Sequence, residues 1–235
     1  MKNYLRLSLF LLLGLLVGCS ALKSQSLKGP GWYQVKQTDT LYSIAWRYGL
    51  DFQQLAQWNG LREPYHIKPG QQLTLLEPDK IPANEVYSVK KPPKLLKKTR
   101  VVVKPLTPSY NRAIRWQWPT DGKILNRFSM AKLGQRGIDI AGKIGQPVRA
   151  VADGKVVYSG TGLSGYGNLI IVKHDNIYLS AYAYNSKRLV KEGKQVKAGE
   201  QIADMGTGKN NKPMLHFQIR KKGKPVDPLK YLPTK

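Results

Sequence analysis

The chain has 235 residues, 39 lysines and arginines against 14 aspartates and glutamates, a formal charge of +25 at pH 7, and one cysteine. That length accommodates one or two domains with cores of their own, and a lone cysteine excludes an intramolecular disulfide framework. A charge of this size ordinarily points to nucleic acid, through release of counterions from phosphate, but the first twenty residues read as an export signal, which argues against that partner.

Lys2 and Arg6 flank the start of an apolar run from Leu7 to Val17 that is short for a membrane span and ends in Leu16-Val17-Gly18-Cys19. This is the pattern of an export signal, residues 1–18. Its last four residues resemble the bacterial lipobox. The resemblance implies cleavage before Cys19, diacylation of its sulfur and acylation of the new amino terminus; an ordinary secretory signal with a chance cysteine is the alternative. Several acyl chains hold a protein on a membrane where one is marginal. Ser20 after the cysteine resembles the outer-membrane sorting pattern of enteric bacteria, so the expected location is an outer-membrane anchor facing the periplasm. There the positive field meets lipid head groups, lipopolysaccharide and wall-peptide carboxylates.

After a tether, residues 19–31, Trp32-Tyr-Gln-Val35 predicts a strand. Leu41, Ile44, Ala45 and Tyr48 predict a helix with one apolar face, capped by Thr38 or Asp39. Asp51 predicts the cap of a second helix carrying Phe52, Leu55 and Ala56 and ending at Asn59-Gly60; Leu73 and Leu75 then alternate in a strand. The order strand, helix, helix, strand, with Thr38-Asp-Thr-Leu41 and Pro69-Gly-Gln-Gln-Leu73, resembles the LysM module over residues 32–75. The resemblance implies a small α+β domain that binds N-acetylglucosamine-containing glycan strands in a groove between two loops. Thr38, Asp39, Thr40 and Leu41 form one wall, and Leu61, Pro64 and Ile67 offer apolar contact from the other. Trp46 and Trp58 are expected in the core or on the helix surface, and His66 has no ligand partner at a recognisable spacing.

Residues 76–115 lose periodicity and carry Lys90-Lys-Pro-Pro-Lys94, Lys97-Lys98 and Lys104-Pro105. This predicts a semi-extended basic linker that gives an anchored protein reach toward the wall, with Val101–Val103 as an alternative edge strand.

From residue 116 to 235 the pattern is short β-branched and aromatic runs divided by glycine-rich turns: Pro147–Val151, Gly154–Tyr158, Leu169–Val172, Tyr178–Tyr182 and Leu215–Ile219. A mainly β domain of antiparallel sheets is expected, without a helix beyond a turn or two. Its residues Gln135-Arg-Gly-Ile-Asp139, Gly165-Tyr-Gly167, Tyr182-Ala-Tyr184-Asn, Met214-Leu-His216-Phe217 and Val226-Asp-Pro228 resemble the LytM (lysostaphin-like) metallopeptidases. In active members, as the resemblance implies, a His at position 135, Asp139 and His216 hold zinc, while His residues at 184 and 214 assist catalysis. Here Gln135, Tyr184 and Met214 stand at three of those positions. A catalytic zinc needs three good ligands and an open site, and Tyr and Met do not shuttle protons near neutral pH. No cofactor and no hydrolysis are expected; Asp139, His216 and His174 are read as structural with respect to metal.

Strand alternation places Met214, His216, Gln218 and Arg220 on one face and Tyr182 with Tyr184 on one face of their own strand. With Gln135, Arg136, Asp139 and Tyr166 they would form an aromatic and cationic cleft, the kind of surface that anchors protein partners. The whole arrangement resembles the NlpD-type activators of cell-wall amidases. That resemblance implies a cleft that binds a periplasmic N-acetylmuramoyl-L-alanine amidase and displaces an inhibitory helix from its zinc site at the division septum. Arg136, Asp139, Tyr166, Leu169, Tyr182, Tyr184, His216 and Arg220 are the expected contact set. A structural wall-to-membrane tether and a divergent zinc endopeptidase are the competing readings.

Overall fold

The computed structural model describes residues 31–77, 114–131, 135–208 and 211–234. The signal segment, Cys19, most of the tether and nearly all of the linker, Val101–Val103 included, lie outside them.

The first module pairs β1 (Trp32–Gln34) antiparallel with β2 (Gln72–Thr74), and packs α1 (Leu41–Tyr48) and α2 (Phe52–Trp58) against the pair. The cap of α1 is Thr40, one or two residues later than the sequence suggests. Thr40 Oγ1 accepts from the Ser43 amide and Ser43 Oγ accepts from the Thr40 amide, a reciprocal box that satisfies two end donors. Asp39 is committed instead to the Lys36 amide, the Tyr33 hydroxyl and Arg47. Asp51 caps α2 as expected, accepting from Gln53 and Gln54. Asn59 closes the module: its amide donates to the carbonyls of Leu55 and Thr74 and accepts from the Thr74 amide, tying the end of α2 to β2. Trp46 is buried, Trp58 half-buried, and His66 exposed rather than packed.

The second module is a ten-stranded antiparallel sheet. Its strands are β3 (Ile124–Asn126), β4 (Ile138–Ala141), β5 (Pro147–Arg149), β6 (Gly154–Gly160), β7 (Asn168–Lys173), β8 (Tyr178–Arg188), β9 (Gln195–Val196), β10 (Gln201–Met205), β11 (Met214–Lys221) and β12 (Lys224–Val226). The main path runs β3-β4-β11-β8-β7-β6-β9; β10 joins β5 to β8, and β12 pairs with β11. Its helical content among the described residues is limited to 3-10 turns, one of them at Pro228–Lys230 and capped by Asp227. Every run expected from the sequence holds a strand; β5 stops at Arg149, short of Val151, while β6, β7, β8 and β11 are longer than their runs. The short strands β3, β4, β9, β10 and β12 carry too little alternation to be announced.

Alternation along these strands gives the sheet two different faces. Ile138, Ile140, Ile170, Val172, Leu215, Phe217 and Ile219 point into the domain's own core. Leu169, Ile171, Leu179, Ala181 and Ala183 point the other way and merge with Leu41, Ile44, Trp46 and Phe52 of the first module in one apolar cluster. The two modules thus share a core on the sheet face that carries His216, Gln218 and Arg220.

Candidate functional site

The cleft is built on β4 and β11, which run antiparallel with His216 opposite Asp139. His216 Nδ1 lies 2.6 Å from Asp139 Oδ1. Because a carboxylate only accepts, Nδ1 carries the proton. The other ring nitrogen, Nε2, is 2.8 Å from Nε2 of Gln218, which is also 3.3 Å from the Tyr166 hydroxyl. Asn126 on β3 donates to Asp139 Oδ2 at 2.9 Å. Both imidazole nitrogens therefore face protein groups. The rings of Tyr184 and Tyr166 stand 5.7 and 6.1 Å from the imidazole and close its sides.

This donor set does not fit a catalytic zinc. Among the described residues no three of His, Cys, Asp or Glu come together in a metal-sized cluster, and Asp139 and His216 already satisfy each other. Gln135 is half-buried just ahead of β4, where its carbonyl accepts from the Ser129 amide. Met214 is buried, 6% exposed, and packs beside Gly208 and Tyr184, where a Cβ on Gly208 would meet both. The Tyr184 phenol is held above its usual range by burial, and further by the charges of Asp139 and Tyr166. It is neutral at physiological pH and no substitute for an imidazole base.

Two expected members of the cleft are elsewhere. Tyr182 is fully buried on the opposite face, where its hydroxyl accepts from the Val151 amide at 2.9 Å and stands 2.9 Å from Ser180 Oγ. Tyr184 escapes that face because it adopts φ 65°, so the two residues do not alternate as regular strand residues would. Leu169 is on the expected face but fully buried beneath the first module. Arg220 is on the expected face as well. Its guanidinium stacks 3.5 Å from the Trp46 ring centroid and donates to the Trp46 carbonyl at 2.6 Å. Burial pushes its pKa down to about 10, with Tyr166 opposing the shift and Arg136 adding to it. Arg136 itself is half-buried, with Nη1 3.1 Å from Met130 Sδ. The cleft is thus lined by half-buried Arg136, Asp139, Tyr166 and Tyr184 around buried His216.

In the first module Thr38 and Pro64 are exposed, and Thr40, Leu61 and Ile67 are half-buried. Leu41 is 1% exposed, so its side chain belongs to the core and only its backbone can meet a sugar. Sequence reasoning leaves out Asn126, in a strand of three residues without a pattern, and the role of Trp46, whose neighbour Arg220 is 174 residues away.

A β-sheet domain whose His–Asp pair lacks a third metal ligand among the described residues, preceded by a small βααβ module, defines a two-module protein. Family models agree: Peptidase family M23 matches residues 134–228 and the LysM domain matches residues 33–75. The chain is 42% identical to the lipoprotein NlpD/LppB homolog of Pseudomonas aeruginosa, covering 87% of this chain and 78% of that protein. It is 38% identical to the murein hydrolase activator NlpD of Salmonella dublin, over 89% and 70% respectively. Against the uncharacterized lipoprotein YgeR of Escherichia coli it is 40% identical, over 99% of this chain and 94% of that one. The chain belongs to the NlpD family of LysM and M23 lipoproteins.

Proposed function

We propose that this protein is a non-catalytic activator of periplasmic N-acetylmuramoyl-L-alanine amidases, anchored by lipid at Cys19 in the outer membrane and acting on septal peptidoglycan. The observation that carries the reading is the spent metal centre. His216 is bound on both nitrogens, Asp139 is bound by His216 and Asn126, and Tyr184 and Met214 stand where proton-transfer groups would be needed. Relatives bearing the name murein hydrolase activator support the same conclusion.

Arg136, Tyr166 and Tyr184 supply the aromatic and cationic anchors of a protein-binding surface, while the LysM loops hold glycan strands. An activator must bind the open form of its enzyme more tightly than the closed form, since equal affinity shifts nothing. Dye release from labelled sacculi tests this directly, with the chain from Ser20 onward, an amidase of the same cell, and the two together. Release from the mixture alone is the expected result. Release by this protein alone, abolished by chelator, establishes an endopeptidase, and no effect with any amidase leaves a tether.

A further inference from the structure

The LysM module sits on the second module and touches it from both walls of its glycan groove, although Thr38 and Pro64 stay exposed. From the first wall, Thr40 Oγ1 donates to the Val157 carbonyl at 3.2 Å, and Arg47, on α1 behind it, donates to the Gly162 carbonyl at 3.3 Å. From the second wall, Glu63 pairs with Lys173 Nζ at 3.1 Å, and the same ammonium lies 5.2 Å from the Phe52 ring centroid. Behind them Trp46 covers Arg220. The approach is close enough to constrain the backbone: a Cβ on Gly223 would collide with the Leu50 carbonyl.

We infer that this contact is a gate: the LysM module, docked groove-first, shields the Arg220 end of the amidase-binding face, and glycan strands release it. The gate rests on the amidase-activator reading, since it regulates that same site. Trp46 Nε1, Arg220 Nε and Gln218 Oε1 are all buried at or beside the contact without a hydrogen-bond partner, so undocking would hydrate them while uncovering the apolar cluster the modules share, a cost that glycan and amidase binding offset. Its geometry also gives glycan a way in. A cleft of about 750 Å³ opens between Gln37, Thr38 and Asp39 on one side and Ser159 to Gly162 with Arg188 on the other. A strand finds the first wall there, while the Glu63–Lys173 pair holds the second wall, beside exposed Pro64, against β7. Glycan and amidase then both favour the open form, and linkage requires each to tighten the other.

A disulfide tests the gate. An ideal Cβ on Gly162 lies 3.9 Å from Thr38 Cβ, inside the range a disulfide spans, and Gly162 has no positive φ that would forbid a side chain. In a chain from Ser20 onward, which lacks Cys19, the pair Thr38→Cys with Gly162→Cys should oxidise readily. Saturating N-acetylglucosamine oligomers should slow that oxidation about fivefold or more. The oxidised form should fail to activate an amidase, and reduction should restore it. Oxidation unaffected or accelerated by the oligomers overturns the gate, acceleration meaning that the cleft is a composite sugar site. An oxidised form as active as the reduced one also overturns it. Slowed oxidation with no amidase activated by any form keeps glycan-driven release but sinks the activator reading. Glu63→Lys, at an exposed position, serves as the second variant: like charge beside Lys173 should lower the oligomer concentration needed for activation about two- to fivefold, and an unchanged requirement counts against the gate.

Discussion

The buried Tyr182 phenol makes the sharpest distinction between a structural and a binding role. Its hydroxyl accepts from the Val151 amide at 2.9 Å and stands 2.9 Å from Ser180 Oγ, which in turn lies 2.7 Å from His174 Nε2. Tyr182→Phe keeps the ring and its 5.4 Å contact with Phe217, so no cavity opens. What is lost is the partner of a buried backbone N–H and of a buried hydroxyl. Leaving one such donor unsatisfied costs about 1–3 kcal/mol. For a domain of this size each kcal/mol moves the melting midpoint by roughly 3–6 °C, and the variant should melt of order 10 °C below the parent by calorimetry. At 25 °C it should still activate an amidase at parental rates, because nothing of Tyr182 reaches the cleft. A variant that melts like the parent but has lost activation would place the phenol at the partner and refute the assignment of faces.

Three further outcomes follow from the same coordinates. Asn59→Ala removes the group that serves three backbone atoms between α2 and β2; at about 1 kcal/mol per hydrogen bond it should lower LysM stability by roughly 3 kcal/mol in urea, and a shift under 1 kcal/mol shows that water replaces the amide. His174 is buried between the Asp153 carbonyl and Ser180, and burial drives its pKa down to about 4. The unfolded chain, with its histidine near 6.5, then binds more protons between those values, so the second module should be at full strength above pH 6.5 and lose stability as pH falls toward 4. A His174 ring signal titrating near 6.5 in the folded protein would contradict this. Gln135→His completes the expected set of three zinc-binding residues with Asp139 and His216, and about one zinc per chain should be retained through gel filtration, still without hydrolysis while Tyr184 and Met214 remain; no gain in zinc would mean that position 135 does not face the pair.

How far the sequence can be read depends on how local the determinants are. Asp51, Asn59 and the apolar spacing of α1 act within a turn or two, and α2 starts and stops where they indicate. The face of β11 is legible because apolar and polar residues alternate without interruption from Leu215 to Arg220. The face of Tyr182 was not, because φ 65° at Tyr184 breaks the period and β-branched or aromatic content says nothing about such a break. The cap of α1 is not settled locally within Thr38-Asp-Thr because both Thr and Asp cap helices; tertiary demand on Asp39 from Tyr33 and Arg47 leaves it to Thr40. Least legible was the burial of Leu169 and Arg220. It depends on a module more than a hundred residues earlier, and no periodicity in either segment encodes that docking.

The spent metal centre also explains how the cleft keeps its shape. In a zinc site of this pattern the ion would join β4 to β11. Here Asp139 and His216 are directly opposed across those strands, and their 2.6 Å hydrogen bond makes the same link without an ion. Asn126 extends it to β3, and Gln218 with Tyr166 extends it to the loop before β7. Cross-strand pairs of this kind are worth roughly 0.2–1 kcal/mol each at an ordinary sheet surface, and more where the groups are buried and charge-assisted. The network therefore ties β3, β4, β11 and the loop before β7 together without an ion.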